Sequence, residues 1–351
     1  MSNLVTIRVT PGGEPDTIAK AIASLPADPS IPARILLSAG TWCEKIELLR
    51  PNTIIEGAGA DKTEILWDDG AAEILPDGQA RRTFRTATLR IAGDHVTLRR
   101  LRVTNAAAPR EKVGQAIALY VNGDEFLAES CRFSGSQDTL FLAPLPKAVI
   151  EPGGFTGPDE NTPRRPQRHL FRKCTIEGDI DFIFGGAAAW FEECELVSRD
   201  GRENRSEPFV GYVCAPCTPQ GQEYGFVFNR CRFLNDRCPE GSVYIGRPWR
   251  NDARIALLSC GLDSHIAEGW FHDWQKPESH ERSFFAEFGC WGPGHLKEKV
   301  PYMHTLSRED AAKITYDAFL ASPLNLEFPG GLLTATIFPD ISFSYQQTQE
   351  P

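Results

Sequence analysis

The 351-residue chain is predicted to be all-β, wound as a parallel β-helix, and three observations predict it. From about residue 84 to 270, short apolar strands recur between turns rich in Gly, Asn or Asp, with almost no helical spacing. Within that stretch one phrase returns: a strand, a cysteine, a variable residue and then, in most cases, an apolar one. It is seen at Cys131-Arg132-Phe133, Cys174-Thr175-Ile176, Cys194-Glu195-Leu196, Cys231-Arg232-Phe233 and Cys260-Gly261-Leu262. The intervals are irregular, roughly 20 to 40 residues, as for imperfect rungs of a solenoid. In such a coil equivalent positions stack on one another, which explains one residue type at one place in the phrase. A β-sandwich is the competing arrangement.

The elements follow in chain order. Residues 4–9 alternate as a strand. Thr17 to Leu25 carries apolar residues at helical spacing, with Asp16 as its expected N-cap. Short strands come next at Ile35–Leu37, Lys45–Leu48, Asn52–Glu56 and Thr63–Trp67. Gly57 and Gly59 form a turn; no lysine-serine pair follows, so a phosphate cradle is not expected. The rung region reads as Thr88–Ile91, His95–Val103, Gln115–Val121, Glu125–Phe133, Thr139–Leu142, His169–Ile176, Asp181–Phe184, Ala189–Leu196, Gly225–Phe233, Val243–Ile245 and Arg254–Leu258. Two excursions break it. Residues 143–168 form a long Pro- and Gly-rich loop ending in Arg164, Arg165 and Arg168, expected either as a solvated basic loop or as a cationic lip for an acidic ligand. Residues 199–222 are read as a second excursion. After Trp270 the pattern degrades. Glu309–Phe319 has helical spacing with Ser307 as cap, and the end of the chain is polar. One domain over 1–335 and a disordered tail over 336–351 are expected.

Composition narrows the partners. Hydrophobic residues make up 41% and charged residues 24%, ordinary for a globular protein. No run approaches the roughly 20 apolar residues that span a bilayer. The net charge of −10 argues against nucleic acid and anionic membrane surfaces, which demand a basic face. The first residues lack the basic and apolar regions of a secretory signal, so a cytoplasmic protein is expected, or a secreted one whose signal has been removed. The ten cysteines are then read as reduced, small buried hydrophobes. Cys214 and Cys217 have CxxC spacing, but a lone pair is weak evidence for metal.

Three stretches carry chemistry. In Ile180-Asp181-Phe182-Ile183-Phe184-Gly185-Gly186 an acid sits inside an apolar strand, where it is costly unless paired or hydrogen-bonded. Gly135-Ser136-Gln137-Asp138-Thr139-Leu140-Phe141 places a second acid at the head of another apolar segment. Tyr244-Ile245-Gly246-Arg247-Pro248-Trp249 brings an arginine and a tryptophan after a strand. Brought together, they supply two carboxylates, a guanidinium to hold one ionised, and an aromatic platform. Gln115 and Gln137 add amide donors of the kind an oxyanion requires. Paired carboxylates serve glycosidic hydrolysis or acyl transfer; the two glutamines favour the second. Asp179 faces the same side as Asp181 and is read as a turn or surface acid.

These motifs resemble those of the pectin methylesterase (pectinesterase) family of carbohydrate esterases. The likeness rests on Gly57-Ala58-Gly59, Gly114-Gln115-Ala116-Ile117-Ala118-Leu119, Gly135-Ser136-Gln137-Asp138, Asp181-Phe182-Ile183-Phe184-Gly185 and Gly246-Arg247-Pro248-Trp249, in that order. It covers roughly residues 5–325. The resemblance implies a right-handed parallel β-helix. It implies Asp181 as nucleophile on the C6 methyl ester of a galacturonate unit, Asp138 as acid and then base, and Gln115 and Gln137 as oxyanion donors. By the same likeness Arg247 pairs with Asp181 and lowers its pKa, while Trp249 stacks on sugar and Phe184 lines the site. Methyl-esterified homogalacturonan or its oligomers would be the substrate, short imported ones if the protein is cytoplasmic, acted on by a monomer with no metal and no cofactor. Phe141 and Tyr120 depart from the family's usual residues, and the 143–168 loop is longer than expected. Related β-helix hydrolases and lyases, an esterase or thioesterase for another ester, and a silent carbohydrate-binding β-helix stay open as alternatives.

Overall fold

The computed structural model describes residues 4–322. The expected tail over 336–351 lies outside the described residues. The named strands pair in parallel throughout and form three sheets of eleven, eight and seven strands, the walls of a right-handed parallel β-helix. One coil shows the plan: Phe126–Glu129 lies in the eleven-stranded sheet, Arg132–Ser134 in the eight-stranded one and Leu140–Leu142 in the seven-stranded one. The chain then returns to the first sheet at Arg168–Arg172, directly beside Phe126–Glu129.

From Arg100 onward, the corner between the first two sheets turns on a single left-handed residue. Arg100, Ser130, Lys173, Glu193, Arg230 and Ser259 take φ between 52° and 53°, and Gly289 takes 64°. A non-glycine residue there costs roughly 1–2 kcal/mol. The geometry is imposed by pairing across the corner: each residue's amide reaches the next coil, as Lys173 N does to Glu192 O at 2.9 Å and Glu193 N to Asn229 O at 3.0 Å. The residue after the corner turns inward, where little room remains. Leu101 is followed up the stack by Cys131, Cys174, Cys194, Cys231, Cys260 and Cys290, all buried and unbridged. Their thiols donate to inner carbonyls, as Cys231 does to Phe191 O at 3.3 Å. Cysteine therefore serves here as a small apolar filler with a weak donor.

These corners explain why several sequence runs were read too long. His95–Val103, Glu125–Phe133, His169–Ile176, Ala189–Leu196 and Gly225–Phe233 are each two strands on two walls, broken at the left-handed residue. Nothing marks the bend locally, because Arg, Ser, Lys or Glu holds it in place of glycine. The core inside the walls stacks in register: Phe171 on Phe191 at 4.9 Å and Phe191 on Phe228 at 4.7 Å, close to the spacing of neighbouring strands.

Helices pack on the first coil and on the outer face of the eleven-stranded sheet. The helix Ile18–Ala23 buries Ile18 and Ala21 against the first coil. Its cap is Thr17, whose hydroxyl accepts from Lys20 N at 3.1 Å; Asp16 instead pairs with Lys20 Nζ at 2.7 Å. The single helix expected over Glu309–Phe319 is two, Arg308–Ala311 and Tyr316–Ala321, and Ser307 caps the first as expected. The second lays Phe319 on Trp190 of the eleven-stranded sheet, ring centres 5.6 Å apart. The excursion read over 199–222 contains a strand of the seven-stranded sheet, Gly211–Pro216.

Candidate active site

Every candidate residue lies along the seven-stranded sheet. Its strands run Val243–Gly246, Gly211–Pro216, Ile180–Gly185, Leu140–Leu142 and Leu119–Val121 as consecutive neighbours. Gln115 precedes the last of these, Gln137 and Asp138 precede Leu140, Asp181 lies within its strand, and Arg247 follows Gly246. Residues far apart in sequence are thereby stacked one rung apart.

Both acids stand on strained backbone. Asp138 has φ 67° and Asp181 φ 48°, where aspartate is among the few side chains found routinely. The register of Ile180–Gly185 against Gly211–Pro216 shifts between Ile180 and Ile183, a local irregularity at Asp181. Such irregularities re-aim a side chain in a strand. Ile180 O accepts from Asp138 N at 3.0 Å, tying the two acid-bearing turns together.

Arg247 holds Asp181 with two parallel bonds, Nε to Oδ1 at 2.9 Å and Nη2 to Oδ2 at 2.7 Å. The guanidinium carbon lies 3.9 Å from the centre of the Tyr212 ring and 3.7 Å from that of Trp274. Stacked aromatic faces and a bidentate carboxylate leave the guanidinium little freedom. Tyr212 stacks on Tyr244 of the next strand at 5.5 Å.

Burial dominates the acidities. It pushes Asp138 well above the usual carboxylate range, the Asp181 charge adds to this, Arg247 opposes it and Asp179 contributes. Burial also raises Asp181, while Arg247 and Lys276 pull it back. The expectation that Arg247 would bring Asp181 below its ordinary value is therefore corrected: the arginine acts in that direction, but desolvation outweighs it. The asymmetry remains, because the guanidinium is bonded to Asp181 and not to Asp138. Asp138 is the better proton carrier and Asp181 the better anion.

A cleft of about 600 Å³ opens over the two acids, walled by Gln115, Gln137, Phe184, Arg247 and Trp249 among others. Both glutamine amides are uncommitted among the described residues and half-buried at the cleft. Phe184 is buried in an aromatic row with Tyr120 and Phe141, spaced 4.7 and 5.0 Å, to which Phe84 and Phe155 are added from outside the sheet. Trp249 lies against Phe184 at 5.7 Å and Phe155 at 6.2 Å. It is half-buried and keeps a face on the cleft. The departures at Tyr120 and Phe141 thus fill the floor beneath the site.

Sequence reasoning missed Tyr212, Trp274, Phe84, Phe155, Arg250 and Lys276, all of which support or line this cleft. The usable signal was Trp274, an aromatic in a polar run close after Trp270. Two readings are corrected. Asp179 is no surface acid: it is 2% exposed, lies 3.2 Å from Arg110, and accepts from its own neighbour Ile180 N at 2.7 Å. The arginines of the 143–168 loop form no free cationic lip. Arg164 donates to Asp159 O, Thr162 O and Glu160 O, Arg165 pairs with Asp94, and Arg168 with Asp124 and Glu125. The loop reaches the cleft through Val149, Ile150, Glu151 and Phe155 instead.

A parallel β-helix bearing two buried acids, one of them clamped by arginine, with amide donors above them, defines a β-helical carboxylic ester hydrolase. The family profile described as Pectinesterase matches residues 5–145 and 155–323. The chain belongs to the pectinesterase family. The unmatched residues, 146–154, fall in the long loop, which agrees with its reading as an enlarged segment. Among relatives, Probable pectinesterase 8 of Arabidopsis thaliana is 29% identical over 306 residues, covering 84% of this chain and 69% of that protein. Pectinesterase 31 of the same plant is 27% identical over 331 residues, 91% of this chain and 93% of that protein. Among solved structures, a pectin methylesterase from Erwinia chrysanthemi superposes with a TM-score of 0.73 at 26% identity, covering 91% of this chain and 98% of the other. The carrot enzyme shares the fold at 23% identity and a TM-score of 0.75, over 90% and 92% of the two chains.

Proposed function

We propose that the protein removes methyl groups from esterified galacturonate units by a covalent two-aspartate mechanism. The observation that carries this is the bidentate Arg247–Asp181 pair in one cleft with the protonatable Asp138. Asp181, ionised and aimed by Arg247, attacks the ester carbonyl carbon. The tetrahedral oxyanion accepts from the amides of Gln115 and Gln137. The C–O bond to the methoxy group breaks as Asp138 hands over its proton, and methanol leaves. This gives an anhydride between Asp181 and the sugar carboxyl, with Asp138 now a carboxylate. Asp138 then takes a proton from water, the hydroxide attacks the sugar carbonyl, and Asp181 is released. The net change is ester plus water to acid plus methanol.

The substrate assignment is supported by a relative of similar fold, a pectin methylesterase solved in complex with a hexasaccharide, 26% identical with a TM-score of 0.74. A cleft open to solvent and floored by aromatic rings suits a sugar chain lying across it. The test is methanol release, followed by proton NMR, from methylated oligogalacturonides. Wild type is compared with Asp181→Asn and Asp138→Asn. Methanol from wild type and a large loss in both folded variants is expected. Methanol undiminished by Asp181→Asn would move the nucleophile elsewhere, and chain shortening without methanol would replace the esterase by a hydrolase or lyase.

A further inference from the structure

A second groove, of about 490 Å³, lies outside the cleft, on the outer face of the eleven-stranded sheet. Val227 and Ala256 line it from the neighbouring strands Phe226–Asn229 and Arg254–Leu258, and Leu306 and Ile314 from either side of the helix Arg308–Ala311. Arg254 opens the second of these strands. Its backbone N–H donates to Thr218 Oγ1 at 3.1 Å, and its guanidinium carbon lies 4.7 Å from the centre of the Phe284 ring on the next strand. Phe284 in turn stacks on His304 of the strand Met303–Thr305, ring centres 5.5 Å apart and planes 21° apart. A cation and two rings thus line the groove from three successive strands.

Arg254 is half-buried and its Nε is shut off from solvent. Yet among the described residues the guanidinium has no hydrogen-bond acceptor and no carboxylate within 4.0 Å. Burial lowers its pKa, and the more distant charges of Glu223 and Asp252 oppose this. The groove's own acids are engaged elsewhere: Glu223 accepts from Ser322 Oγ at 3.3 Å, and Asp310 pairs with Lys313 at 2.9 Å. Buried donors without acceptors are rare in native structures, and a guanidinium presents five on one rigid fork. The phenyl ring fixes where the fork stands but takes none of its in-plane N–H groups. A ligand that suits this row carries a carboxylate for the fork and an apolar face for the rings, and a uronate sugar has both on one unit.

The groove lies round one corner of the coil from the cleft. Arg250 lines the cleft and Arg254 the groove, and four residues of chain span at most about 14 Å. A polymer losing its esters in the cleft therefore carries free carboxylates close to the groove.

We infer that the groove is a second, non-catalytic site for a de-esterified galacturonate unit, with Arg254 holding its carboxylate and Phe284 and His304 its ring. The choice of sugar rests on the esterase reading. The site adds an anchor on a different wall from the reacting groups, so it acts on the binding of long chains and leaves the bond-breaking step unaltered.

The experiment follows the His304 imidazole protons by NMR, assigned by their loss in His304→Gln, as fully de-esterified hexagalacturonate is added. Wild type shows a saturable shift that weakens with rising salt. In Arg254→Gln the affinity read from that shift falls about tenfold, the size expected for losing a charge-assisted hydrogen bond. On long pectin chains the same variant raises KM by a similar factor at unchanged kcat. A wild-type His304 signal that stays still up to millimolar hexamer would overturn the site, whether or not the variant folds. An equal shift with the fully methylated hexamer, or an affinity unchanged in Arg254→Gln, would also overturn it, because the carboxylate would then not be what is recognised. An unchanged KM on long chains would remove the anchor. If wild type releases no methanol from any methylated substrate, the esterase reading fails by itself. A salt-sensitive His304 shift with the de-esterified hexamer would still support the groove.

Discussion

The amide of Asp138 donates to the carbonyl of Ile180 at 3.0 Å, so the residue beside one acid holds the backbone of the other. The two carboxylates cannot drift apart without breaking a bond within the coil. Their strained φ values of 67° and 48° are held by the same network.

Asparagine tolerates the left-handed region nearly as well as aspartate, and it matches the shape of the protonated Asp138. Asp138→Asn is therefore expected to fold with a Tm close to wild type, and Asp181→Asn, which leaves Arg247 without its carboxylate, with a lower one. Turnover should fall by roughly 10³-fold or more, the scale of losing a nucleophile or a general acid. Calorimetry beside methanol release checks both halves; a Tm loss of many degrees in Asp138→Asn would show that this acid holds the fold.

Tyr212 and Trp274 sandwich the Arg247 guanidinium that holds Asp181. Replacing either with leucine keeps the pair possible but loosens it, removing about 1–2 kcal/mol of cation–aromatic attraction. Turnover should drop about tenfold while Arg247→Lys, which loses the bidentate geometry, drops it further. Wild-type turnover in Trp274→Leu would show that the arginine is fixed by Asp181 alone.

Asp179 is a buried acid whose charge bears on Asp138. It faces Arg110 and Arg199 as cations and Glu111 as a like charge. Its backbone N–H donates to Ser136 O at 3.1 Å, just ahead of Gln137 and Asp138. Asp179→Asn keeps the shape and removes one negative charge, so the proton on Asp138 is held less tightly. The alkaline limb of the kcat profile should move to lower pH, with a several-fold loss at neutrality. A limb that stays in place would uncouple Asp179 from catalysis.

His169 and His265 are buried and neutral, each with its pKa brought down by burial to about 4. Unfolded, they would titrate near 6.5. The unfolded chain therefore binds more protons between those values, and the stability tied to neutral burial is present above about 6.5 and lost as pH falls toward 4. Up to about 3 kcal/mol is at stake for each, at 1.36 kcal/mol per pKa unit. Asp138, Asp179 and Asp181, with raised pKa values, oppose this slope. Urea unfolding of wild type and His169→Gln at pH 7 and pH 4.5 isolates the histidine's share; parallel losses in both proteins would refute it.

Much of the site was legible in the sequence because its residues are out of place. An aspartate inside Ile180–Phe184 and another opening Thr139–Leu142 break strand rules that their neighbours obey, and such breaks point to function. The coil was legible from repeated cysteines, since stacking turns one packing solution into a periodic letter. What stayed hidden depends on what folds beside what. Tyr212 sits in Gly211–Pro216, a strand with loop-rich sequence on both sides, so its contact with Arg247 left no local trace. The corners were missed because a left-handed turn was carried by Arg, Ser, Lys and Glu. Asp179 looked like Asp181's exposed twin, because nothing in the sequence announces Arg110 as its partner.

The site spans five adjacent strands of one wall, yet the chain between them wanders through 143–167 and 200–210 outside the coil. Separation along the chain and separation in space are thus set independently. Those outer segments can lengthen, shorten or change sequence while the acids, amides and arginine keep their pitch of about 4.8 Å per strand. One whole added coil between Gln115 and Arg247 would be another matter, lengthening the row by a strand and parting groups that must meet on a single carbonyl. The scaffold therefore behaves as a ruler whose ends can be extended and whose margins can be decorated, but whose middle graduations are fixed.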